Sequence, residues 1–146
     1  MREILFRGKS NWTYGNVKEG DWLYGMTISR HCYNDEEITS YYIGGGNNTI
    51  DGKTLGQYTG LTDKNGKKIF EGDIVRIHER TMNRYDIGII QYNAPKFVML
   101  VYRKETGWRY FHDIVESDTM QDMQAVIPLK YEYEVIGNIH DNPELL

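Results

Sequence analysis

The chain has 146 residues, 17 basic and 21 acidic side chains and a formal net charge of −4, a balance that disfavours a general phosphate-backbone binder. This length suits one domain, or a domain with a small appendage, and can bury a core without covalent staples. Cys32 is the one cysteine, so no internal disulfide forms; no apolar stretch reaches membrane-spanning length, and MREILFRGKS lacks the layout of a secretory signal, so a soluble intracellular protein is expected.

Twelve Tyr, three Trp and four Phe favour strands, and also binding surfaces with a polar handle. EILFRG alternates, placing Ile4 and Phe6 on one face. The repeats WTYG (Trp12 to Gly15) and WLYG (Trp22 to Gly25) predict a hairpin about Glu19-Gly20, with Tyr24 opposite Gly15 and Tyr14 opposite Gly25. Met26 to Tyr33 and Ile38 to Ile43 read as strands around a turn at Asn34 to Glu37. GGGNN is a loop without the Gly-Lys-Ser/Thr ending of a phosphate loop.

YTGLTDKNGKKIFEGDIVRI (Tyr58 to Ile77) has the polarity of a cation loop but not its ligand order. Counting from Asp63, Gly66 falls fourth and Lys67 fifth, where an EF-hand needs a ligand at the fifth position and glycine at the sixth. Asn65-Gly66 instead predicts a type I′ hairpin turn, with Gly72-Asp73 leading into the next strand, as in SH3-like barrels. GDIVRIH, IGIIQYN, KFVMLVYR and GWRYFHDIV follow as strands; Phe97 to Tyr102 reads as buried on both faces. SDTMQDMQ has no clear period. In YEYEVIGNI, Tyr131, Tyr133, Val135, Gly137 and Ile139 share one face and Glu132 and Glu134 the other. DNPELL closes the chain with one helical turn, capped by Asn142 and started by Pro143.

Catalytic signatures do not emerge. His31 and Cys32 are adjacent and point to opposite faces of a strand, and His78, His112 and His140 are scattered. HxxxH, CxxC, HExxH and GxSxG spacings are missing. No catalytic residue, metal or cofactor is therefore expected. Tyr102-Arg103 and Trp108-Arg109-Tyr110, across a KETG turn, could form a basic aromatic patch on one hairpin. The RNP signature of RNA-binding sheets is missing, and a core face backed by ordinary surface charge is favoured.

REILFRGK, WLYG, GQYTGLTDKNGKKIFEGDIV and the ending YEVIGNIHDNPELL resemble the YopX family of phage and prophage proteins. The resemblance covers both ends and the centre, and is loose from Met82 to Lys130. It implies an all-β protein of the bacterial host cytoplasm and brings no established activity or cofactor. Gln57, Tyr58 and Thr59, between Gly56 and Gly60, are among the family's recurring positions, and their polar groups either face a ligand or satisfy buried backbone.

The expectation is an all-β chain with little helix: small coiled or barrel-like sheets with an SH3-like C-terminal part. Residues 1–146 form a single unit, open to subdivision into 1–60 and 61–146. The function expected is non-enzymatic binding of a host or phage protein, with counter-defence as one case, either by blocking a host effector or by sequestering a small nucleotide. A nucleic-acid module and an enzyme of unrecognised type are the alternatives, membrane association is not expected, and a homo-oligomer is left open. Gln57, Tyr58, Thr59, Trp22 and Tyr24 are the candidate binding residues, with Tyr102, Arg103, Trp108, Arg109 and Tyr110 as the alternative patch.

Overall fold

The computed structural model describes residues 3–33, 38–46, 48–103, 106–113 and 131–146. These residues form antiparallel sheets with two short 3-10 turns, Gly52–Thr54 and Pro143–Leu145. None of the described helices is long and apolar enough to cross a membrane. The turn at Asn34 to Glu37 and the segment SDTMQDMQ lie outside the described residues. Two compact units divide the chain, Met1–Gly60 and Leu61–Leu146.

In the first unit β1 (Phe6–Lys9) pairs with β2 (Trp22–Gly25) and, on its other side, with β6 (Gly56–Thr62), the strand that runs past Gly60. β3 (Ile28–Tyr33), β4 (Ile38–Ile43) and β5 (Thr49–Ile50) make a three-stranded sheet. Ile43, Ile50 and Tyr58 are buried.

The repeat-based hairpin is corrected here. WLYG pairs with FRGK, so that Tyr24 faces Arg7 and Trp22 faces Lys9. WTYG closes on itself instead: Tyr14 and Val17 exchange backbone hydrogen bonds across a tight turn with Gly15 at φ +54°, and Trp12 stacks on Tyr14. The Ser10 hydroxyl donates to the Trp12 carbonyl at 2.7 Å, holding WTYG out of the ladder. A turn local to four residues replaces a pairing that would have had to span ten.

The second unit contains β7 (Lys68–Phe70) and a five-stranded sheet in the order β11-β10-β9-β8-β12, built from β8 (Asp73–Glu79), β9 (Arg84–Asn93), β10 (Lys96–Arg103), β11 (Trp108–Asp113) and β12 (Tyr131–Asn138). Strand alternation assigns Val75, Ile77, Ile90, Met99, Val101, Tyr133 and Val135 to the inner face. Val75, Ile77, Ile90, Met99 and Val101 form the core with Ile69, and Leu61, Tyr131, Tyr133 and Val135 pack against it. The run Phe97 to Tyr102 is buried on both faces over Val98, Met99 and Val101, in keeping with its unbroken apolar composition.

Curling brings the sheet's two edges together. The Nε2 of His112 on β11 lies 2.9 Å from the hydroxyl of Tyr133 on β12, and the His112 ring meets Tyr131 edge-on at 4.8 Å. Side chains make this contact; among the described residues no ladder closes the sheet into a barrel.

Three local readings change in this unit. Asn65-Gly66 is not a type I′ turn: Gly66 alone has positive φ, +80°, and its N–H donates to the Asp63 carbonyl. This is a three-residue loop with a glycine bulge. It is selected by the Asp63 side chain, whose Oδ1 accepts from the backbone N–H of Asn65 and Lys67 at 2.8 and 2.9 Å. In β12 the alternation slips at a bulge between Val135 and Gly137, moving Gly137 to the face opposite Val135. At the C-terminal turn Asn142 makes no side-chain cap; its Oδ1 accepts instead from the Asn138 N–H at 3.3 Å.

Candidate functional site

The inner face of the five-stranded sheet changes character along its length. Val75 and Ile77 on β8 are followed by Glu79, and across the β8–β9 hairpin Glu79 faces Arg84. Asp86 follows two positions on, and β10 ends with Arg103 on the same face. Four charged side chains from three strands thus continue the core where apolar ones would otherwise sit.

Their geometry is a linear relay, Glu79–Arg84–Asp86–Arg103. Arg84 places Nη2 2.6 Å from Glu79 Oε2 and Nε 3.2 Å from Asp86 Oδ2. Arg103 takes Asp86 with both Nε and Nη2, at 3.4 and 3.3 Å. The Thr81 hydroxyl donates to Glu79 Oε1 at 3.2 Å. The carboxylates lie beneath: the Glu79 and Asp86 side chains are 5% and 6% exposed, against 38% and 29% for Arg84 and Arg103. Burying such groups costs several kcal/mol per ion in desolvation, about what a well-packed apolar cluster would avoid.

Beside the relay is a cavity of about 330 Å³, lined by Ile77, Glu79, Arg84, Asp86, Arg103, His112 and Tyr131. A second cavity, about 570 Å³, is lined by Met82, Asn83, Tyr85, Ile87, Tyr102, Leu145 and Leu146; Arg84, Asp86 and Arg103 border both. On the outer face Tyr85 stacks on His78 with centroids 4.2 Å apart and planes 5° from parallel. His78 is steadied by Asn83 Oδ1, 3.0 Å from Nε2, and by Glu132, 3.4 Å from Nδ1. Tyr85 and Met82 remain 58% and 67% exposed. The Arg109 guanidinium sits 5.1 Å above the Tyr102 ring.

Elsewhere on the outer face, the hydrogen bond from Arg76 holds the Glu134 carboxyl below its ordinary pKa, with Lys64 adding to the effect and desolvation opposing it. Among the described residues no group of three His, Cys, Asp or Glu could hold a metal.

The residues singled out from sequence fall in several places. Trp22 and Tyr24 share a face of β2; the Arg7 guanidinium lies 4.6 Å from the Trp22 ring centroid and Lys9 Nζ 5.5 Å from it. Tyr24 is exposed, whereas Tyr58 and Thr59 are buried in β6. Through the β2-β1-β6 register, Tyr58 is on the Trp22 and Tyr24 side of the sheet and Gln57 and Thr59 on the other. The five therefore form no single patch. In the alternative set, Tyr102 and Arg109 meet across the β10–β11 ladder, but Arg103 turns to the inner face and Asp86. Trp108 is paired with Arg103 and Tyr110 with Val101 in that ladder; the side chains of Trp108 and Tyr110 lie outside the described ones. Sequence reasoning passed over Glu79, Arg84, Asp86, His112 and Tyr131. The available signal was Asp86, an acidic residue directly before the apolar run IGII.

The family model described as YopX protein matches residues 7–146. No curated protein matches the sequence. Among solved structures, the crystal structure of protein EF1440 from Enterococcus faecalis is similar, at 23% identity and a TM-score of 0.46, over 98% of this chain and 97% of that one.

Proposed function

We propose that this chain, which belongs to the YopX family, acts by binding a host or phage protein without catalysis. The observation that supports this is the outer face of the second unit, where exposed Tyr85 and Met82 border a cavity of about 570 Å³. Tyr, Met and Arg are the side chains enriched at protein interfaces, and Tyr85 is held flat by His78, so little conformational freedom is lost on docking. The chain's net charge of −4 favours this reading over a nucleic-acid module. A counter-defence role in the bacterial cytoplasm, with the partner a host effector, is the form of this function we favour.

The test is capture of a defined partner from infected host cells, repeated with Tyr85→Ala. Exposed Tyr85 carries little of the fold, so melting should be unchanged while binding weakens by about 2 kcal/mol, the scale of an interface anchor. Capture unaffected by Tyr85→Ala would remove the outer face from consideration. A steep loss of DNA or RNA binding with added salt would favour the nucleic-acid reading instead.

A further inference from the structure

We propose that the partner segment docking on the outer face of the second unit is both acidic and apolar, with aliphatic or aromatic side chains flanked by Asp or Glu. The proposal rests on the outer-face reading above and names the chemistry of its partner.

The walls of the larger cavity, about 570 Å³ and within the size range of ligand sites, set the apolar half. Met82, Tyr85, Ile87 and Tyr102 come from the sheet, and Leu145 and Leu146 from the C-terminal turn. Met82, Tyr85 and Leu146 are 67%, 58% and 42% exposed, so apolar area is left for a partner to cover.

Charge sets the other half. The four relay groups cancel one another and give this cavity no net charge. Arg109 stands outside the relay; it is exposed, and its guanidinium sits 5.1 Å above the Tyr102 ring. Arg84 adds a donor without adding charge. Its Nε and Nη2 are taken by Asp86 and Glu79, while its Nη1 faces the sulfur of Met82, on this cavity's wall, at 3.7 Å. A thioether is a weak acceptor for a charged donor. The acidic side chains of β12 are engaged elsewhere, Glu132 with His78 and Arg80 and Glu134 with Arg76 and Lys64. Among the described residues, no side-chain carboxylate meets Arg109 or the Nη1 corner of Arg84.

A partner carboxylate would meet these groups with charge-assisted hydrogen bonds in the planar geometry of guanidinium, while its apolar neighbours cover the walls. The chain itself carries the same combination. Exposed Glu144 directly precedes Leu145 and Leu146, which already form one wall. A basic segment would cover the same walls but set like charge against Arg109, which costs binding and selects against it.

The experiment pans a phage-displayed library of random heptapeptides against the immobilised full chain, then titrates the selected peptides by calorimetry and by NMR of the Met82 methyl group. Enrichment of sequences joining Leu, Ile or Phe to Asp or Glu is expected, with a saturable shift at Met82. Changing a selected peptide's carboxylates to amides should weaken it about tenfold, and so should Arg109→Glu, chiefly through slower association. Arg109 is exposed, so melting should not change; Arg109→Gln should give a smaller loss in the same direction. The proposal is overturned if no such sequences are enriched, if the amide forms bind equally well, or if Arg109→Glu binds as the wild type does. A single-stranded oligonucleotide that shifts Met82 at lower concentration than any selected peptide would also overturn it, in favour of nucleic acid. The outer-face reading fails separately. Partner capture lost in Tyr85→Ala but kept in Arg109→Glu leaves that reading standing and removes the acidic segment, whereas capture and selected peptides both indifferent to Tyr85→Ala remove the two together.

Discussion

Asp63 does more than any other residue of its loop. One carboxylate oxygen accepts from Asn65 and Lys67, and the other from the backbone N–H of Val135 on β12, at 3.0 Å. Asp63→Ala would leave three N–H groups to find new partners, and a loss of roughly 2–4 kcal/mol in urea unfolding is expected. Asn65→Ala should cost much less, because Asn65 has an ordinary negative φ and offers mainly its backbone. The sequence made this loop legible as a turn but credited the wrong residue, since Asn-Gly is a local signal and the bond from Asp63 to Val135 is not.

A second outcome at this scale concerns acid. Arg76 hydrogen-bonds Glu134 and lowers its pKa in the fold. A carboxyl whose pKa is lower folded than unfolded contributes stability above its unfolded pKa, and loses it as pH falls through the folded one. Side-chain carboxyl NMR should find Glu134 titrating below an ordinary glutamate, and Arg76→Gln should move that midpoint upward.

Strands were legible wherever alternation or apolar runs were long. β8, β9 and β10 follow from GDIVRIH, IGIIQYN and KFVMLVYR, and the outward placement of Glu132 and Glu134 follows from YEYE. Pairing was less so: WLYG found FRGK rather than its own near-copy, because likeness between segments carries no information about which ladder closes. The β12 bulge escaped notice for a related reason, as an inserted residue leaves local composition unchanged. It gives Gly137 a specific burden, since a methyl group there would stand 2.7 Å from Asn142 Oδ1 and 2.9 Å from Leu145 Cδ1. Gly137→Ala should therefore cost about 1–3 kcal/mol through overpacking, and hydrogen exchange should show the loss concentrated at the Asn142 to Leu146 turn.

For the chain as a whole, the family was readable from both ends and the centre, and the all-β character from the strands of the described residues, but the charged relay was not. Glu79, Arg84, Asp86, Arg103, His112 and Tyr131 belong to five strands and meet only because the sheet curls until its edges touch. Curvature of that kind is a property of the assembled sheet, so residues such as His112 looked solitary along the sequence. The Gln57-Tyr58-Thr59 run instead contributes two buried side chains, Tyr58 and Thr59, to β6.

Sheet order also fixes a timetable. β8 to β11 pair each with the next through short hairpins, whereas β12 must return to β8 from far along the chain, and Tyr131 arrives with it. Local contacts form early and distant ones late, so the cavity gains its Tyr131 wall at the final docking step. On a ribosome the cavity would stay incomplete until β12 had emerged. Weakening the Asp63 grip on Val135 with Asp63→Asn should then speed unfolding in stopped-flow traces while leaving the refolding rate almost untouched.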